Sequence, residues 1–175
     1  MRELADADRI RRFLRALGGE ADRAMRVYLT GGATAVLMGW RASTIDVDIK
    51  LVPDADRILR AIPALKESLH VNVELASPAD FIPVAADWED RSPFIDREGL
   101  ASFHHFDLYA QALAKLERGH AQDLADVQEM LARALVEPDR ALRYFETIEP
   151  NLYRYPALDP VSFRRAVEAF FSAHA

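Results

Sequence analysis

Apolar residues recur along the chain in two rhythms. In residues 4–17, Leu4, Ile10, Phe13, Leu14 and Leu17 fall at helical spacing, and Gly18-Gly19 is expected to stop that helix. Val27-Tyr28-Leu29 reads as a short strand punctuated by Gly31-Gly32, and Ala33 to Trp40, rich in Ala, Leu and Met, reads as a helix. Thr44 to Leu51 alternates strictly, with Ile45, Val47, Ile49 and Leu51 on one face, the pattern of a half-buried strand. Pro53-Asp54 opens a helical stretch carrying Ile58, Leu59, Ile62, Leu65 and Leu69, with an interruption expected at Pro63. Val71 to Leu75 alternates again, so the first 76 residues read helix, strand, helix, strand, helix, strand.

Residues 77–106 are less regular and are broken by Pro78, Pro83 and Pro93. Phe94-Ile95 and Leu100 to Phe106, joined by Arg97-Glu98-Gly99, are expected to form a hairpin. Helical spacing then runs to the end. Asp107 is placed to cap a helix over 108–118. Leu124, Val127, Leu131 and Leu135 line one face of the next helix, and Phe163, Val167, Phe170 and Phe171 stripe the last. A boundary is expected near residue 106, with an α/β core over 1–106 and a helical region over 107–175 packed on it.

Composition narrows the classes. The chain has 175 residues, half of them apolar and 29% charged, enough to build a core and too apolar for global disorder. A net charge of −6 argues against a broad nucleic-acid footprint, though a local basic groove remains compatible. Without cysteine there are no disulfides, thiolate metal sites or cysteine nucleophiles. The start, Met1 to Asp6, carries acids where a signal peptide needs an apolar run, and no stretch approaches the ~20 apolar residues of a membrane span. A cytoplasmic protein without membrane contact is the expectation. The basic residues are 19 Arg and only 3 Lys, so each lysine invites a question.

The sharpest chemistry lies at Asp46 and Asp48. Aspartate is depleted in strands, yet these two share a strand face across Val47, with Cβ atoms roughly 7 Å apart at a rise of about 3.3 Å per residue. Their repulsion is relieved by a cation, and carboxylates with phosphate oxygens and water are the ligand set Mg2+ prefers. A solvated strand face, continued by Thr44 and Lys50, would also account for them. Upstream, Thr30-Gly31-Gly32 lies between a strand and a helix, where glycines let the backbone approach an anion closely. A tight strand-to-helix turn would explain those glycines alone. Together the two pieces suit a nucleoside triphosphate and its magnesium.

Gly31-Gly32 followed after 13 residues by Asp46-Val47-Asp48-Ile49 resembles the signature of the DNA polymerase β-like nucleotidyltransferases. Arg41-x-x-Thr44-x-Asp46-x-Asp48 is similar to a stretch of the minimal, AbiEii-like nucleotidyltransferases of bacterial toxin–antitoxin systems, and from Leu29 through Ser77 to Pro83 and into the tail the chain resembles the DUF6036 family. The resemblance implies an α+β nucleotidyltransferase-like core, a small mixed sheet flanked by helices, with a C-terminal helical region. It implies Mg2+ held by Asp46, Asp48 and a third carboxylate on a neighbouring strand, for which Glu74 is the candidate; Asp80 lies beyond that strand. Thr30, Gly31, Gly32, Arg41 and Thr44 would bind the nucleotide. Lys115 followed by Asp123-x-x-Asp126 resembles the tail cluster of the AbiEii-like proteins, where the lysine faces the phosphates and an acid supports the site. Asp46, Asp48, Glu74 and Lys115 would be catalytic. Gly32 stands where many active members carry serine, which leaves only backbone donors there.

Two readings follow. One is a magnesium-dependent enzyme moving a nucleoside monophosphate from an NTP to a protein or RNA hydroxyl, within a toxin–antitoxin system. The other is an inactive module of the same fold that binds a toxin or antitoxin partner through its helical tail and exposed Phe170 and Phe171. A glycosyltransferase with Asp-x-Asp fits less well, because its motif does not follow a Gly-Gly turn so closely. His104-His105-Phe106-Asp107 is expected to be structural, since neighbouring strand residues point to opposite faces.

Overall fold

The computed structural model describes residues 3–174; Met1 and Arg2 of the acidic start lie outside them. The protein is α+β, with seven α-helices, a five-stranded mixed sheet and a two-stranded sheet among the described residues. It forms two compact units. One comprises the residues up to Ser77 together with Ser92–Phe106, and the other Pro78–Arg91 together with the residues from Asp107 onward.

In the first unit, β1 (Ala5–Asp6) precedes helix α1 (Ala7–Gly19). The helix starts later than its apolar spacing suggested. Asp6 accepts the Arg9 N–H at 2.9 Å as N-cap, and β1 pairs with β3 (Ser43–Thr44) instead of coiling into the helix. Leu4 is consequently left exposed. Gly18 and Gly19 form the last residues of α1. A Cβ at Gly18 would lie 2.6 Å from the Glu98 carbonyl oxygen, so only glycine permits that approach.

Strand β2 (Met25–Thr30) leads into α2 (Gly32–Met38), then β4 (Asp46–Val52), α3 (Asp56–Ser68) and β5 (Asn72–Leu75). The strands β6 (Phe94–Glu98) and β7 (Ala101–His105) complete the sheet, ordered β5-β4-β2-β7-β6. β2 runs antiparallel to β4 and parallel to β7, while β5 lies parallel to β4. The β6–β7 hairpin turns at Gly99-Leu100, with Gly99 at φ +60, so Arg97 and Glu98 are strand residues and not the turn. Phe106 leaves the strand and donates its N–H to the Leu29 carbonyl at 2.7 Å.

Helix α3 passes through Pro63 without ending. Its apolar face, with Ile58 and Ile62 buried, is what carries it, since packing outweighs the lost N–H. The core joins Ile10, Phe13, Leu14 and Leu17 of α1 to Val27, Leu29, Val47, Ile49, Leu51, Val73 and Phe103 of the sheet. Each such side chain contributes ~1.5–3 kcal/mol by burial. Ile45 does not share this face. The chain bends there between β3 and β4, and Ile45 is 50% exposed.

The second unit contains α4 (Leu108–Arg118), α5 (Ala121–Ala132), α6 (Pro138–Ile148) and α7 (Pro160–Ala173). Asp107 caps α4 by accepting the Tyr109 N–H at 3.0 Å, and Gly119 closes it at φ +71. Phe145 and Phe163 meet edge to face at 5.0 Å, with Val167 and Phe171 buried beside Phe163 on α7. Phe171 is therefore core, not the exposed, partner-facing aromatic expected beside Phe170. On α5 the buried positions are Asp123, Asp126, Val127 and Met130, while Leu124 and Leu131 are half-buried and Leu135 lies past the helix.

Candidate functional site

The site is built on the polar face of β4. Val47, Ile49 and Leu51 point into the core, so Asp46, Asp48 and Lys50 alternate to the other side and are half-buried. Asp48 is the cross-strand partner of Thr30, the last residue of β2. The chain then turns through Gly31 at φ +64 and ψ −131, a conformation that L side chains rarely adopt. A Cβ on Gly31 would lie 3.2 Å from Asp48 Oδ2. The glycine bend and the acidic strand thus meet in space.

Gly32 opens α2 and is tightly packed. A Cβ there would collide with Thr44 Oγ1, would lie 2.7 Å from Thr44 Cβ, and would lie 3.1 Å from an Arg41 guanidinium nitrogen. Thr44 is buried and donates its hydroxyl to the Asp46 carbonyl at 3.1 Å. Glycine at 32 is thus required by the threonine that precedes the acidic pair. Thr30, Gly31, Gly32, Arg41, Thr44, Asp46 and Asp48 come together around one bend.

The neighbouring strand adds two side chains to the same face. In the parallel register Asn72 partners Asp46 and Glu74 partners Asp48. Glu74 is exposed. Asn72 donates its side-chain amide to Asp46 Oδ1. Its only signal in the sequence was its place two residues before Glu74 on an alternating strand. Among the described residues no three His, Cys, Asp or Glu side chains come together as a metal-holding group, so Asp46, Asp48 and Glu74 share a face without forming an all-protein cage. Two carboxylates beside a backbone turn are the protein share that magnesium takes when phosphate oxygens and water supply the rest.

Lys115, Asp123 and Asp126 form a network of their own within the helical unit. Lys115 Nζ donates to Asp126 Oδ2 at 2.8 Å and lies 3.9 Å from Asp123 Oδ1. Asp126 is fully buried, and Lys115 and Asp123 nearly so. Arg118 grips Asp123 with two hydrogen bonds of 2.9 and 2.5 Å, and Gln122 donates to Asp126 Oδ1 at 3.1 Å. Burial raises the Asp123 carboxyl, but the Arg118 and Lys115 charges outweigh it and hold the group below its ordinary value.

The two histidines of β7 diverge, as adjacent strand residues must. His105 is buried, and its Nδ1 lies 2.9 Å from the Thr34 hydroxyl, which donates to the Leu29 carbonyl at 3.3 Å. Burial, with the Arg11 and His104 charges, pushes its imidazole down to about 4. His104 faces the other side, stacked on Tyr28 at 5.4 Å and edge-on to Phe94 at 5.5 Å. Both are structural in their contacts. Among the described residues no helix is long and apolar enough to cross a membrane.

No curated protein and no solved structure matches the chain. A family profile described as "Nucleotidyltransferase of unknown function (DUF6036)" matches residues 6–154, which span the bend, both strands bearing the carboxylates and the Lys115 network. The chain belongs to this DUF6036 family of nucleotidyltransferases.

Proposed function

We propose that the protein transfers a nucleoside monophosphate from an NTP to a hydroxyl on a protein or RNA, with magnesium. The observation that carries this reading is the approach of Gly31 to Asp48, since a Cβ at residue 31 would lie 3.2 Å from the carboxylate oxygen. Triphosphate and carboxylates repel, so a phosphate seated at this bend beside two aspartates calls for a cation to join them. Asp46 and Asp48 would hold that cation. Magnesium, when bound, would neutralise phosphate charge and favour departure of pyrophosphate.

The chain's own residues supply the rest. Backbone groups at Gly31 and Gly32, with Thr30 and Thr44, orient the phosphates, and Arg41 adds positive charge beside Gly32. A bond forms between the acceptor oxygen and the α-phosphorus while the α–β bridging bond breaks and pyrophosphate leaves. The acceptor's proton passes to Glu74, the exposed carboxylate in register with Asp48.

Incubation with magnesium and each labelled NTP tests the reading. Pyrophosphate release, or label on protein or RNA, should occur with the wild type and vanish in Asp46→Ala. A folded wild type that neither binds nor turns over any NTP would remove it.

A further inference from the structure

We infer that Asn72 is a positioning residue for Asp46: its side-chain amide, offered from the adjacent strand, fixes the carboxylate in the orientation in which it receives the metal. The inference rests on the nucleotidyl-transfer reading. Asn72 and Asp46 are register partners on parallel strands, so their side chains leave the sheet on the same face. Asn72 Nδ2 donates to Asp46 Oδ1. An ionised carboxylate only accepts, so the amide nitrogen is the atom that must face it.

Residue type carries the argument further. Asparagine is depleted in strands, so propensity does not explain its place here. An acid at 72 would add a further negative charge beside Asp46, Asp48 and Glu74, and an apolar residue would remove the donor to Asp46 Oδ1. A neutral donor does neither. Partners that orient metal-ligating groups typically matter by 10–100-fold in affinity. Asn72 is only half-buried and lies on the edge strand of the sheet, so its truncation removes little core packing.

The full-length protein tests this with Mn2+ as probe, titrated by electron paramagnetic resonance beside a non-hydrolysable NTP analogue. Asn72→Ala should weaken Mn2+ binding about 10–100-fold while its melting temperature stays at the wild-type value. Binding within twofold of wild type would overturn the inference and leave the function intact. A wild type that binds no Mn2+ would overturn both. A second measurement needs no metal and no Asn72 variant. The Asn72 side-chain amide should show a displaced 1H–15N resonance that moves towards the free value in Asp46→Ala. An amide resonance unaffected by Asp46→Ala would refute the positioning role.

Discussion

Gly32 shows how one residue's identity follows from its neighbours. Thr44 occupies the space that a side chain at 32 would need, with its Cβ only 2.7 Å from the ideal position. Gly32→Ser should therefore destabilise the fold by about 1–3 kcal/mol through overpacking. Chemical denaturation measures this, and an unchanged midpoint would show that Thr44 yields without strain. The paired Gly32→Ser/Thr44→Ala variant should recover most of the loss. At Asp48 the expectation is chemical. Asp48→Asn keeps the shape but removes the charge facing Gly31, and nucleotidyl transfer should fall at least about 100-fold with the melting temperature held. The glycine pair and both aspartates were legible in the sequence as spacing. Asn72 was not, because only the register between β4 and β5 shows which polar residue meets Asp46.

Helices α4 and α5 show the same dependence at the level of elements. The apolar residues Leu124, Leu131 and Leu135 suggested one buried face for α5, yet the helix buries Asp123 and Asp126 with Val127 and Met130. The reason is the Lys115 ammonium on α4, whose 2.8 Å bond to Asp126 turns the acidic edge inward. Lys115→Met should leave a fully buried carboxylate without its cation and cost about 3–5 kcal/mol. Pairing it with Asp126→Leu should restore much of that stability, because a packed apolar pair can replace a buried ion pair. If the single variant proves neutral by thermal melting, the network is not what orients α5. Capping, by contrast, was readable from local sequence. Asp107 caps α4 as its position before an apolar run implied, since the cap hydrogen bond reaches only to Tyr109. Pro63 misled for the converse reason: its local cost is real, but the tertiary burial of Ile58 and Ile62 exceeds it.

For the molecule as a whole, His105 sets an expected pH dependence. Its imidazole is pushed from the ordinary 6.5 down to about 4. The unfolded chain then binds more protons than the folded one between those values, so stability rises with pH across that window and is lost as pH falls from about 6.5 towards 4. The loss amounts to about 3 kcal/mol from this group at 1.36 kcal/mol per unit. Denaturation curves at pH 4.5 and 7 should differ in this sense for the wild type and less in His105→Gln; equal slopes for the two proteins would assign the dependence elsewhere. The sequence by itself determined the element order apart from β1, β3 and α6, the alternation that turns Asp46 and Asp48 from the core, and the family, because these depend on periods and spacings within short windows. Tertiary structure alone decided that the Gly31 bend meets Asp48, that Thr44 requires glycine at 32, that Asn72 reaches Asp46, and that Phe171 and Asp126 are interior. Each of those is a contact between segments distant along the chain, set by strand register and helix packing, which no local pattern encodes.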